Sequence, residues 1–146
     1  MTIDSAETLD LVEPWIYSQL TDAALLTLLG GLDHISGTLS LDDLPLPYVH
    51  FSMNSTADVQ GNSGLIISTD NVYLIKVVGA TGSWDDLIPA ASRIKQLFHR
   101  PGEVIDVDGG SLSCIRERII QYPEITEGVQ YRHLGAMWRI RASRDE

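Results

Sequence analysis

A chain of 146 residues, 44% hydrophobic and 21% charged, has the size and composition of one compact globular domain, which excludes wholesale disorder. Twenty acids against ten bases give a net charge of −10, so the phosphates of nucleic acid would be repelled. No apolar run approaches the roughly 18 residues that cross a bilayer, the acidic start MTIDSAETLD predicts no secretory leader, and a lone cysteine, Cys114, leaves no disulfide framework or multi-cysteine zinc site to expect in a reduced-compartment protein.

The charge is unevenly spread. Residues 1–90 hold 12 acids and one base, Lys76, whereas residues 91–146 hold 9 bases and 8 acids. Two readings fit: a solvated acidic face, or a polarised subunit whose acidic region meets the more basic region of a neighbour.

In chain order, Leu9, Val12, Ile16 and Leu20 recur at spacings of three and four, which lines one helical face. Pro14 cannot donate a helical hydrogen bond, so the main helix is expected to start near Glu13 after a looser turn, with residues 1–13 a loose terminus. Thr21 or Asp22 caps a second, short helix over Ala23–Leu29, which Gly30-Gly31 ends. Its leucines exceed one narrow stripe, so it is either deeply buried or against a partner.

A weak strand is expected around His34–Leu39, then an acidic turn at Asp42-Asp43 and an extended Leu44-Pro45-Leu46-Pro47. Tyr48–Met53 alternates, with Val49, Phe51 and Met53 on one side and Tyr48, His50 and Ser52 on the other. The polar stretch 54–64 (NSTADVQGNSG) reads as a long mobile hairpin loop. Leu65–Thr69 is expected to pair with the next strand through a tight Asp70-Asn71 turn. Val72–Val78 is β-branched and aromatic, apolar on both sides, and predicts a central strand with something packed on each face.

Gly79–Gly82 turns the chain into a second long helix. With Asp86 as N-cap, Pro89 falls in the first turn and costs no bond, whereas Ser83 as N-cap would cost one. Leu87, Ala91, Ile94 and Phe98 form its buried stripe, and Pro101-Gly102 stops it. A strand over Leu112–Tyr122, with Arg116 and Arg118 pointing the same way, then turns through Pro123–Gly128. The closing strand, Val129–Ala142, alternates cleanly, and residues 143–146 form a loose end. The order predicts one α+β domain over residues 1–146: an antiparallel-rich mixed sheet with helices packed on one face.

Candidate chemistry is thin. His34, His50, His99 and His133 lack metal-ligand spacing, and Asp106-Val107-Asp108 is too short for a calcium loop. Cys114 lies near Arg116 and Arg118, which would favour a thiolate, but it shares a strand face with Leu112 and reads as a buried structural thiol. No G-x-S-x-G elbow is present, and GATGS (79–83) lacks the Walker lysine and precedes two acids that repel phosphate. No catalytic residue, cofactor or metal is expected. What remains is surplus apolar surface, a two-sided strand, a polar loop and charge asymmetry, the marks of a subunit in an assembly.

Four segments carry a resemblance: DAALLTLLGG after an N-terminal helix, the proline-led LPLPYVHFSM, the strand-to-helix run NVYLIKVVGATGSWDDLIPAASRIKQLF, and the terminal GVQYRHLGAMWRIRAS. Together, over about residues 14–142, they resemble the tail-terminator (tail-completion) proteins of long-tailed, siphovirus-type bacteriophages. The departure is Ser83–Pro89, where a proline enters the helix start. The resemblance implies a non-enzymatic virion protein, assembled in the host bacterial cytoplasm, that closes into a homo-hexameric ring on the head-proximal end of the tail tube. Its implied partners are its own copies, the major tail tube protein and a neck or head-completion protein, with no membrane, and with DNA passing through the lumen without specific binding.

Interface candidates are Asn62, Trp84, Arg116 and Arg118. Asn62 stands for the loop, or is plain solvent-exposed. Trp84 is an interface aromatic or a lid over the core. The two arginines meet a neighbour's acids, or pair internally with Glu103, Asp106 or Asp108. Two other functions stay open: a neck or head-completion connector, and a small-ligand-binding or enzymatic α+β dimer.

Overall fold

A computed structural model describes residues 5–37, 44–60, 66–80 and 83–145. The described residues form helices α1 (Ser5–Leu20), α2 (Ala23–Leu29) and α3 (Ile88–Phe98). Their strands are β1 (Ile35–Ser36), β2 (Tyr48–Gln60), β3 (Ile66–Gly79), β4 (Ile105–Val107), β5 (Gly110–Thr126) and β6 (Val129–Arg144). All six strands join one sheet in the order β1-β2-β3-β6-β5-β4, antiparallel except where β1 runs parallel to β2.

The alternation of each strand decides which face meets the helices. Val49 and Phe51 (β2), Tyr73, Ile75 and Val77 (β3), and Ala136, Trp138 and Ile140 (β6) are buried with Val12, Ile16, Leu20, Leu25, Ile94 and Phe98 of the helices in one core. The register lines these strand residues up on one face. The fold is α+β with its helices on that face, as expected. Phe98 is the seam: its ring lies edge-on to Trp15 of α1 at 5.3 Å and tilted against Trp138 of β6 at 5.8 Å.

Several expectations need correcting. α1 is one helix from Ser5, with Pro14 inside it, rather than a loose terminus and a later start. Asp10 and Pro14 both lie on its exposed side, where a carbonyl freed by the proline can bond water. The opposite side, Leu11, Val12, Trp15 and Ile16, is buried and offsets the cost. The side chain of Leu9, the fourth member of the expected stripe, lies outside the described residues.

The polar stretch after Met53 is strand as far as Gln60; the rest of the expected loop, including Asn62, lies outside the described residues. Residues 54–60 lack an apolar pattern because little covers them, yet their backbone pairs with β3. No turn occurs at Asp70-Asn71. Asn71 is buried in mid-strand because its amide donates to Thr69 Oγ1 and the Ile140 carbonyl and accepts from Thr56 Oγ1.

β3 is central, but only one of its faces carries helices; among the described residues no helix covers the other. That face is closed in part by side chains, with Val78, His50 and His133 buried on it. A Cβ on Gly135 would collide there with the Ile75 carbonyl, which is why a glycine interrupts β6.

The weak strand expected at 34–39 shrinks to Ile35–Ser36, and its remainder, like Asp42-Asp43, is partly or wholly outside the described residues. Before α3, Ser83 caps a 3₁₀ turn over Trp84–Asp86. Its hydroxyl accepts from the Asp85 N–H, and the Asp86 carboxylate accepts from the Ser83 N–H. The α-helix proper starts after Leu87, so Pro89 does fall in its first turn, but Asp86 is not its N-cap. Ala90, rather than Ala91, completes the fully buried stripe. The last turn of the chain is tighter than expected. β5 continues through Pro123 to Thr126, and a two-residue turn, Glu127-Gly128, with φ of 51° and 79°, leads into β6. Pro123 is tolerated because β5 is an edge strand there. β6 in turn runs to Arg144, into the expected loose end.

Asp22 is the N-cap of α2, accepting from the Leu25 N–H at 3.1 Å, and it receives two 2.8 Å hydrogen bonds from the Arg93 guanidinium of α3. The Arg93 bonds are the main reason its carboxyl is held down to about 2 from 3.8. A lowered carboxyl stabilises the fold above the unfolded-state value and loses that contribution as pH falls. Urea titrations should therefore show a stability loss between about pH 4 and pH 2 that shrinks in Asp22→Asn, which keeps a capping side chain without the charge. At neutral pH, Phe98→Ala should cost about 3–5 kcal/mol in the same measurement, as removal of a fully buried aromatic does.

Candidate functional site

Among the described residues the geometry offers three surfaces. The first is a hairpin. β6 leaves β3 at the pair Gly79–Arg132, but β5 and β6 stay paired to Thr126–Val129. The tip, Pro123–Tyr131, therefore projects beyond the body of the sheet as a two-stranded ribbon. Ile125 is 74% and Val129 41% exposed, whereas Glu124, Thr126, Glu127 and Tyr131 line a shallow hollow with Leu44, Leu46 and Tyr48.

The second is a groove between α3 and the sheet, enclosing about 180 Å³. Short side chains make the room: Ala91 and Ser92 on the helix and Ala136 on β6. Ile88 and Ile119 border it, 46% and 58% exposed, and Trp138 closes its floor with an indole N–H that meets no acceptor among the described residues. Lys95 and Arg116 line it, and among the described residues no carboxylate does.

A β-bulge at Glu117 builds this groove. Arg116 pairs with Trp138, Arg118 with Met137 and Ile119 with Ala136. Opposed residues share a face, so Arg116 and Ile119 lie on the helix side and Arg118 on the other. The expectation that Arg116 and Arg118 point the same way is thus corrected: the extra residue shifts the alternation by one. Neither guanidinium forms an ion pair among the described residues; Arg116 contributes its backbone N–H to His99 Nδ1 at 3.1 Å. Trp84 is half-buried against the core, with the Arg132 guanidinium 6.0 Å from its ring centre.

The third surface is the helix-free sheet face. Asp70 binds Arg139 at 2.6 Å and lies 3.6 Å from Arg141, and Arg139 also reaches Glu117 at 3.1 Å. At the hairpin end, Lys76 donates to the Tyr122 hydroxyl at 2.9 Å, Tyr122 stacks on His133 at 4.4 Å, and His133 Nε2 lies 3.4 Å from Glu124. Burial, with Lys76 beside it, holds His133 below its ordinary value against the opposing pull of Glu124. On the helix side, burial and the Glu13 carboxylate that accepts its hydroxyl push Tyr73 far above the usual tyrosine range.

None of these clusters assembles a nucleophile with a base. Cys114 is fully buried, and burial pushes its thiol up to about 12, with Arg100 opposing weakly. No group of His, Cys, Asp and Glu that would hold a metal occurs among the described residues. No helix among them is long and apolar enough to cross a membrane.

Sequence reasoning missed Ile88, Lys95, Ile119 and Ile125. The adjacent Ile119-Ile120 breaks the period of two in β5 and is a visible sign of the bulge. The groove has no such sign, because it lies between residues far apart in sequence.

No family model matches the chain, and no curated protein matches it in sequence. Among solved structures, a chain of the virion of a native gene transfer agent particle superimposes with a TM-score of 0.69. The match covers 90% of this chain and 94% of that one, at 19% identity. The two share a fold.

With its thiol unionised and enclosed, Cys114 should not react with a thiol reagent in the native protein at pH 8 and should react within the dead time once urea unfolds it. Fast native labelling would show that the strand it occupies opens.

Proposed function

We propose that this protein is a structural component of a phage-like virion, a tail terminator that forms a homo-hexameric ring on the head-proximal end of the tail tube. The ring ends polymerisation of the tube protein and presents its other side to a neck or head-completion protein. The fold shared with a chain of a gene transfer agent virion, over nine-tenths of both chains, is the observation that carries the virion reading. The order and spelling of residues 14–142 favour the tail-end role within it.

The surfaces suit such a ring. A cyclic assembly needs two unlike, complementary patches on each subunit, and a projecting acidic hairpin and a cation-lined groove are two such patches. Trp84, Arg116 and Arg118 remain interface candidates on this reading, and so does Asn62, outside the described residues. Each copy carries a net charge of −10, so a ring would pass DNA through its lumen without holding it.

Particles assembled without this protein should carry overlong or headless tails in electron micrographs, and supplying it in trans should restore uniform joined tails. Normal tails joined to heads would overturn the tail-end role. Normal tails lacking only the head would favour the neck connector instead.

A further inference from the structure

The hairpin tip and the groove match each other in shape and charge. The tip carries one strongly exposed aliphatic side chain, Ile125, two residues before the acid Glu127, and no base within residues 123–129; Glu124 lies on the opposite face of the ribbon, beside His133. The groove is apolar, borders two cations, Lys95 and Arg116, and has no acid in its lining among the described residues. Its 180 Å³ exceeds the roughly 150 Å³ in which an apolar cavity accepts benzene, room for a branched aliphatic group. The buried Trp138 N–H on its floor has no acceptor among the described residues.

These surfaces cannot meet within one copy. Ile119 borders the groove and Ile125 lies six residues further along the same strand, a separation of roughly 20 Å at strand rise. The ribbon is paired along that whole length and cannot fold back. Two complementary patches held this far apart on one rigid chain define a head-to-tail contact, which closes into a ring where the rotation allows.

We infer that the hairpin tip of one copy docks into the α3–sheet groove of a second copy, Ile125 filling the cavity while Glu127 at the turn faces Lys95 and Arg116. This rests on the self-association in the reading above and not on the tail-end role. Ile125 is the central anchor, and the charges around it set register and direction.

Disulfide trapping between two variants tests the contact. Ile88→Cys and Ser92→Cys each place a thiol on the groove, Ile125→Cys places one on the tip, and all three positions are solvent-exposed. Cys114 is buried and stays silent. Under mild oxidation, a tip variant mixed with a groove variant should cross-link about tenfold faster than either does alone, because only the mixture juxtaposes unlike patches. Adding Lys95→Glu to the groove copy should abolish the excess, and Glu127→Lys in the tip copy should restore it. Circular dichroism checks that each variant is folded.

A mixture no faster than the single variants, at both groove positions, would overturn the inference and give the groove to another occupant, such as the tube protein or a small apolar ligand. Rings that persist when Ile125→Asp removes the anchor would also overturn it while leaving the ring reading intact. Normal joined tails in particles lacking the protein would remove the tail-end role without touching the trapping result.

Discussion

The aromatic seam of Trp15, Phe98 and Trp138 holds the architecture together. It joins α1, α3 and β6 at one point, three segments separated by most of the chain. A sheet with one apolar face is stable only when that face is covered, and two helices pinned at a common aromatic contact cover it. α2 then needs little of its own: Asp22 caps it and ties it to Arg93 of α3, so a seven-residue helix too short to persist alone is held by its neighbours.

Covering one face leaves specific things uncovered. The opposite face carries an ion-pair lattice around Asp70 and Arg139 and a stack of Lys76, Tyr122 and His133, a polar but structured surface. The strands at both ends of the sheet are very short, β1 with two residues and β4 with three, so most of β2 and β5 also lie at the sheet's edges among the described residues. The β5–β6 ribbon runs past its support, and small side chains under α3 leave a hollow beside it. The result is a projection and a recess on one rigid body.

Charge follows the same division. The acids that dominate residues 1–90 sit with a single lysine, whereas the groove draws its cations, Lys95 and Arg116, from the more basic remainder. The hairpin tip is acidic, as is the stretch holding Glu103, Asp106 and Asp108, within a half of the chain whose bases and acids nearly balance. Screening erases charge gradients beyond about 8–10 Å at physiological ionic strength, while close, partly desolvated pairs keep their preference.

Whatever repeats at short range was readable before the fold was known. The stripe Val12, Ile16, Leu20, the cap at Asp22, the glycine stop at Gly30, the alternation of Tyr48–Met53 and of Leu134–Ala142, and the central place of β3 all follow from periods of 3.6 or 2 and from turn chemistry, which depend on neighbours in sequence. Local rules misled where a distant partner outweighed them. Burial of Trp15 and its neighbours carried α1 through Pro14, pairing to β3 made strand of the polar residues 54–60, and buried partners kept Asn71 in mid-strand. The bulge at Glu117, the reach of the hairpin and the groove beneath α3 were decided only by tertiary structure, because each is a relation between segments that meet in space and are strangers in sequence.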